Sequence, residues 1–104
     1  MIRFTLHLSD GNITGFECRG HSGYAESGSD IICAAVSILA NTCVNALETV
    51  AGVIPEAEAK DGLMRMSLPQ NAGHDAQVIL RAMEQGLRDV AESYPQYLQL
   101  TEKS

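Results

Sequence analysis

The sequence predicts a domain that mixes α and β structure, α/β in the broad sense and α+β in the narrower one. It is expected to have two layers, a largely antiparallel four-stranded sheet with two helices on one face. The predicted order is ββαββα. Two segments of alternating polarity each meet an Asp-Gly pair, which is a strong hairpin signal, and each hairpin precedes a segment of helical periodicity. With 104 residues, 45% of them hydrophobic, the chain has room for a single domain over residues 1–104 and one core.

The first hairpin begins with IRFTLHL at residues 2–8, where apolar and polar side chains alternate. The Asp-Gly pair at residues 10–11 predicts a tight turn. ITGFECRG at residues 13–20 predicts the second strand, with Phe16 and Cys18 facing the core.

The first helix is expected to begin near Asp30, with Ser29 or Asp30 as its N-cap, and to end at AGVIP, residues 51–55. Its apolar surface is wider than one stripe. The narrow polar strip consists of Ser37, Asn41, Asn45 and Glu48. Because a helix covered only by its own sheet does not need so much apolar surface, we expect it to contribute to a homodimer contact.

The second unit repeats the first. EAEAK at residues 56–60 and LMRMSL at residues 63–68 flank another Asp-Gly pair, and a second helix follows over about residues 73–93, where Pro95 stops it. The apolar stripe of this helix comprises Ala76, Ile79, Leu80, Met83, Leu87, Val90, Ala91 and Tyr94.

Composition and charge exclude several function classes. The formal charge of -6 would repel phosphate backbones, so we expect no direct nucleic-acid partner and favour a basic protein partner. Three unclustered cysteines argue against a disulfide framework and a structural zinc site, so we expect free thiols, no metal and no cofactor. Polar residues interrupt the apolar stretch at residues 31–47, and the N-terminus lacks the features of a signal peptide. We therefore expect a cytoplasmic protein that does not bind membranes.

The segment GHSGYAESGSDIICAAVS, residues 20–37, places a histidine and a cysteine at the two ends of a Gly- and Ser-rich loop. If Asp30 caps the helix, Cys33 is its third residue, where unpaired N–H groups and the helix dipole favour a thiolate. His21 could then act as its base and acid. The alternative is that Cys33 is a small buried hydrophobic residue.

Two further polar residues are candidates near this pair. Asp30, Cys33 and Ser37 share one helix face, so Ser37 could bond the thiol, a product group or the histidine, and Asp30 could also orient His21. Metal ligation by Cys18 together with His21 and Cys33 matches no recognised pattern.

The loop between His21 and Cys33 is predicted to be a flexible lid over a substrate. Its candidate residues are Ser22, Gly23, Tyr24, Gly28 and Ser29. The segment GYAESGSD nearly matches a phosphate-binding loop, but the lysine is missing and an aspartate stands at the helix start. Nucleotide binding is therefore not expected.

The two segments GHSGY and GSDIICAAVS together resemble the signature of the ribosomal-processing cysteine proteases, the Prp family. The similarity extends in outline over nearly the whole chain, including the tail YPQYLQL. It implies a bacterial cytoplasmic endopeptidase, active as a dimer, that removes a short N-terminal extension from a large-subunit ribosomal protein. It also implies that Cys33 is the nucleophile and His21 its base, with Gly20, Asp30 and Ser37 as supporting residues, and that the loop orders around the peptide.

Two other classes of function remain open from the residues alone. The first is a non-catalytic ribosome-assembly or adaptor domain in which Cys33 is only structural. The second is a redox or thiol-modified switch, which is weakened because no resolving cysteine lies close in sequence.

Overall fold

The computed structural model describes residues 1–20 and 27–104, with the backbone alone for residues 27–30. The described elements are β1 (Ile2–Ser9), β2 (Asn12–Arg19), α1 (Ser27–Thr49), β3 (Glu56–Lys60), β4 (Leu63–Ser67), α2 (His74–Ser93) and β5 (Leu98–Lys103). This order confirms the predicted α+β class, with ββαββα followed by one more strand.

The sheet has five strands in the order β3-β4-β2-β1-β5, so the predicted number of four was wrong. The additional strand β5 pairs in parallel with β1, with Leu98 opposite Ile2 and Leu100 opposite Phe4. The tail gave no strand prediction because its partner lies at the other end of the chain, so no local hairpin signal marks it. As a result β1 is an inner strand, flanked on both sides.

The first predicted hairpin is confirmed. Asp10 and Gly11 have φ of 51° and 79°, and positive φ at both central residues is what a two-residue type I′ turn requires. The two strands then pair in antiparallel register as far as Arg3 and Arg19.

A bulge at Thr14 interrupts this register, since His7 pairs with Gly15 while the next residue of β1 pairs with Ile13. The extra residue allows Ile13 and Phe16 both to be buried. The Gln77 side chain on α2 accepts a hydrogen bond from the Ile13 N–H at 2.8 Å and donates one to its carbonyl at 2.7 Å. The bulge is thereby attached to α2.

One core lies between the inner face of the sheet and both helices, which therefore pack on the same face as predicted. The rings of Phe4 and Phe16 stack at its centre, with centroids 4.9 Å apart. The α1 residues in the core recur every three or four positions: Ile32, Val36, Ala40, Cys43 and Leu47.

The rest of α1 is unusually apolar and exposed. Ile31 is 69% exposed and Ile38 is 64% exposed, so the described part of the chain does not cover the wide apolar surface seen in the sequence. By length and composition alone, Ile31–Thr49 is also long and apolar enough to cross a membrane. The polar residues in this stretch therefore do not make it too polar to pass that test. The same helix also supplies the buried residues of α1 to the core.

The start of α1 differs from the prediction. The helix begins at Ser27, so Gly28 and Ser29 belong to its first turn rather than to a loop, and neither Ser29 nor Asp30 is the N-cap. The helical period in the sequence could be counted only from Ile31, the first apolar residue. The polar turn before it carries no periodic signal.

The second helix follows the predicted stripe, with Ala76, Leu80, Met83 and Leu87 buried. Tyr94 is the exception and is 46% exposed. It follows the last residue of α2 and serves as the C-cap, its N–H bonded to the carbonyl of Val90.

The buried carboxylate of Glu84 holds two arginines of α2, and these arginines connect the helix to the sheet. The side chain of Glu84 is only 8% exposed and accepts hydrogen bonds from Arg81 at 2.7 Å and Arg88 at 2.6 Å. Arg88 also bonds Glu102 on β5, and Arg81 donates to the carbonyl of Gly11. Burial alone would raise the pKa of Glu84, but the hydrogen bonds and charges of the two arginines outweigh it and lower that pKa.

Because the pKa of Glu84 is lower in the folded protein than in the unfolded chain, its contribution to stability is present above about pH 4.5 and is lost as the pH falls through the folded value. We expect Glu84→Gln to lower the free energy of unfolding at pH 7 by about 2 kcal/mol, with a smaller difference at pH 3. Urea unfolding at both pH values measures this. The control is Glu92→Gln, an exposed position on the same helix; equal effects of the two substitutions would contradict the prediction.

Candidate active site

An open cleft lies beside α1 because the helix does not cover the edge strand β3. The inner face of β3 carries Ala57 and Ala59, which pair with Met66 and Met64 of β4. Met66 is buried, whereas both alanines are exposed. The uncovered edge leaves a cavity of about 210 Å³ between α1 and the β3–β4 hairpin.

Three parts of the chain line this cleft. The hairpin contributes residues 59–64, and the end of β2 contributes Cys18 and Gly20. The helix contributes Cys33, Val36, Ser37, Ala40 and Asn41.

The structure brings Cys33 and Ser37 together, one helical turn apart on the cleft wall. Asp30 lies almost one turn before Cys33 in the helix backbone, but its side chain is outside the described residues. Asn41 continues the same line and was predicted only as part of the polar strip. The polar strip of the sequence therefore faces the cleft at Ser37 and Asn41.

The position of Cys33 along α1 corrects the sequence interpretation. It is the seventh helical residue instead of the third, about 9 Å from the first residue at 1.5 Å per residue. At that depth the N–H of Cys33 is paired within the helix, and the influence of the dipole has fallen off. The helix N-terminus therefore does not account for a thiolate at Cys33, and activation requires another group.

The backbone conformation and the close packing at Gly20 leave no room for a residue with a side chain. Its φ is +89°, and a Cβ there would lie 2.5 Å from the carbonyl oxygen of Met1. Its N–H donates to the carbonyl of Gly62 at 2.9 Å. These contacts fix the end of β2 against the hairpin turn and the N-terminal strand, at the cleft.

The predicted base and part of the predicted lid are outside the described residues. These residues are His21, Ser22, Gly23 and Tyr24. His21 follows Gly20 directly in sequence, and Gly20 lines the cleft.

Cys18 was predicted to be a core residue, but it is half-buried and shares the cleft with Cys33. Burial, with a smaller effect from nearby Cys33, raises the pKa of Cys18 to about 11. Burial likewise raises the pKa of Cys43 to about 11. The alternation of side chains along β2 correctly predicted that Cys18 faces the inner side of the sheet. Nothing in the sequence shows that the helices stop covering the sheet at this residue.

The cleft also contains groups that the sequence did not single out. Lys60, Asp61 and Gly62 form its outer wall at the hairpin turn. In the part of the chain whose side chains are described, no three His, Cys, Asp or Glu residues cluster to hold a metal ion. The described wall therefore offers two thiols, a hydroxyl and an amide group, with one ammonium and one carboxylate at the hairpin turn.

A cysteine on the wall of an open cleft, next to the strand end that leads into a histidine, is an arrangement typical of one class of protein, the thiol-dependent hydrolases. The family model described as "Cysteine protease Prp" matches residues 1–99. The chain belongs to this family, the Prp cysteine proteases.

Known relatives agree over almost the full length of the chain. It is 31% identical to "Ribosomal processing cysteine protease Prp" of Bacillus subtilis (strain 168), over 97% of this chain and 96% of that protein. It is similar to the crystal structure of SMU.848 from Streptococcus mutans, with 31% identity, a TM-score of 0.91, and coverage of 98% of this chain and 93% of that one.

Two structures of Prp from S. aureus are also similar, and each covers 99% of this chain and 100% of its own. The complex with a substrate peptide has 27% identity and a TM-score of 0.92. The complex with a covalently linked product peptide has 28% identity and a TM-score of 0.90.

We expect iodoacetamide at pH 7.5 to modify Cys33 of the folded protein before the other two cysteines. Cys33 borders the open cleft, whereas the raised pKa of Cys18 and of Cys43 keeps both thiols almost entirely protonated at that pH. Intact mass should show one adduct per chain, peptide mapping should place it at Cys33, and the unfolded chain should take three. Modification of Cys18 or Cys43 first would contradict the prediction.

Proposed function

We propose that this chain is a cysteine endopeptidase that uses Cys33 and His21 to remove a short N-terminal extension from a large-subunit ribosomal protein. The observation that carries the proposal is the place of Cys33 in an open cleft that is also lined by Gly20, the residue directly before His21. The name of the B. subtilis relative supports ribosomal processing. The covalently linked product peptide in S. aureus Prp supports covalent catalysis.

In the proposed reaction His21 takes the proton of the Cys33 thiol, and the sulfur attacks the carbonyl carbon of the scissile bond. The tetrahedral intermediate collapses when the C–N bond breaks, and His21 protonates the leaving amine. Water, deprotonated by His21, then attacks the thioester, which releases the second product and restores the thiol. Each proton taken by the histidine is returned, so the enzyme is unchanged.

Ser37, Asp30 and Gly20 have supporting roles in this proposal. Side chains on a helix tilt toward its N-terminus, so the Ser37 hydroxyl leans toward Cys33 and is suited to donate to the developing oxyanion or the product. Asp30, on the same helix face by sequence spacing, is assigned to orient His21. Gly20 holds the end of β2 beside the hairpin turn.

The net charge of the whole chain fits a basic protein substrate. The net charge of -6 favours encounter with a basic ribosomal protein. We assign the protein to the bacterial cytoplasm, where such a substrate is made, with no cofactor and no direct nucleic-acid or membrane partner. Residues 22–24 are assigned to close over the bound peptide, and Gly28 and Ser29 contribute from the first turn of α1.

The thiol-switch hypothesis gains one observation from the fold, because Cys18 shares the cleft with Cys33. A resolving cysteine must attack as a thiolate, however, and burial raises the pKa of Cys18 to about 11. We therefore favour proteolysis.

We further propose that the protein is a homodimer built on α1. Ile31 and Ile38 are strongly exposed on this helix. Ile38 also lines an almost wholly apolar groove between α1 and α2, together with Leu39 and Ile79. Exposed apolar surface of this kind is typical of an interface, and a self-complementary helix face fits a second copy of the chain.

Sedimentation at micromolar concentration should give the mass of a dimer, and Ile38→Asp should give a monomer because it places a charge in the apolar contact. The matched control is Ile54→Asp, since Ile54 is 73% exposed and lies outside α1. A monomeric parent protein, or equal behaviour of the two variants, would remove the proposal.

Incubation with the extended ribosomal protein should release one short N-terminal peptide, detected by mass. Cys33→Ala should abolish cleavage, and Cys33→Ser should be nearly inactive because a hydroxyl ionises far less readily than a thiol. His21→Ala should lower turnover by about 10² to 10⁴. Cys43→Ala, a change of the same residue type in the core of the same helix, is the control and should remain active.

Cleavage by Cys33→Ala at the rate of the parent protein would show that Cys33 is not the nucleophile. Tight binding of the substrate without cleavage, by parent and variant alike, would favour the adaptor domain instead.

A further inference from the structure

The sheet floor of the cleft is one row of side chains across three strands. Ala59 of β3 pairs with Met64 of β4, and Met64 pairs with Cys18 of β2. All three line the cleft with Cys33. The row continues through Phe4, which pairs with Cys18 and is fully buried. Cys18 and Met64 are partly exposed and Ala59 is exposed, so the floor becomes more open toward its Ala59 end.

This floor is uncharged. Cys18 carries a thiol that remains protonated at neutral pH, because burial raises its pKa to about 11. Lys60 lines the cleft at the hairpin turn, outside this floor, and its ammonium is paired at 2.7 Å with Glu58, whose side chain alternates to the outer face of the sheet. Among the described side chains, Asp61 at the turn is the one carboxylate on the cleft wall.

On the helix side of the pocket, Val36 and Ala40 add apolar surface beside the floor, and Ser37 and Asn41 are the polar residues. The cavity has a volume of about 210 Å³. It has room for a side chain, and it is bounded on the open side by a residue with only a methyl group.

We propose that Ala59 is a specificity-determining residue, whose small side chain leaves a pocket beside Cys33 for one apolar side chain of the peptide next to the scissile bond. The proposal rests on the proposed role of Cys33 as nucleophile. A larger residue at position 59 would extend over the floor and fill the pocket. Because Ala59 is exposed on an edge strand, the substitution displaces solvent and bound ligand and leaves the core untouched.

A pair of alkylating reagents tests the pocket without requiring proteolysis. N-benzyliodoacetamide carries an apolar ring, whereas iodoacetamide carries none, and both form the same bond with the Cys33 sulfur. In the parent protein we expect the benzyl reagent to modify Cys33 about tenfold faster relative to iodoacetamide than it modifies a free thiol. Ala59→Leu should abolish this preference, measured as the ratio of the two alkylation rates within the same variant, and Ala59→Val should reduce it.

The matched control is Ala57→Leu, an exposed alanine on the same face of β3 that does not line this cleft. It should retain the preference. Equal relative rates of the two reagents in the parent protein, or the same loss in Ala57→Leu as in Ala59→Leu, would overturn the proposal.

Peptide cleavage provides the second readout. Ala59→Leu should lower kcat/KM for peptides with a large apolar residue next to the scissile bond about tenfold more than for peptides with alanine there. A uniform loss across the series would contradict a role in specificity. If Ala59→Leu abolishes the alkylation preference as expected and no peptide is cleaved, the result supports the pocket beside Cys33 and contradicts the proposed proteolysis.

Discussion

The stripe of α1 that packs on the sheet fixes where the other side chains of that helix point. Burial of Ile32, Val36 and Ala40 sets the rotation of the helix about its axis. Each residue that follows a member of this stripe is turned by about 100° from it. Cys33, Ser37 and Asn41 take these positions and reach the cleft together.

The cleft exists because packing stops one strand short of the sheet edge. Met66 of β4 is buried in the core, while Ala57 and Ala59 of β3 remain exposed. Ala59 lines the cleft with Cys33 and Ala57 does not, so a bulky residue at position 59 would fill the space beside the thiol. A small residue is also required at Gly20, because the carbonyl oxygen of Met1 leaves no room there for a Cβ. Access to the Cys33 thiol in this fold thus depends on small residues around the cleft.

Local patterns in the sequence predicted most of the fold. The Asp-Gly turns, the alternation of β1 and the apolar stripe of α2 all depend on near neighbours in the chain, and each was confirmed. The strand β5 was missed because its partner is at the opposite terminus. The start of α1 was misplaced because the polar turn beginning at Ser27 lies beyond the buried stripe and carries no period.

The candidate site was predictable only in part. Spacing correctly placed Cys33 and Ser37 on one helix face, but the contribution of Cys18 and of the β3–β4 hairpin depends on where packing ends, which no local pattern records. The corrected start of α1 also removes the helix dipole as the cause of a reactive thiol. The chemistry of Cys33 then depends on a neighbouring base, the role proposed for His21.

The most direct measurement is the capture of the covalent intermediate during cleavage of the extended ribosomal protein. Acid quenching within the first turnover, followed by peptide mapping, should find the N-terminal fragment joined to the Cys33 peptide, at the sum of the two masses less one water. A thioester at Cys33 is the result that the proposed mechanism requires. Cleavage with no adduct, or with the fragment on Cys18, would contradict it.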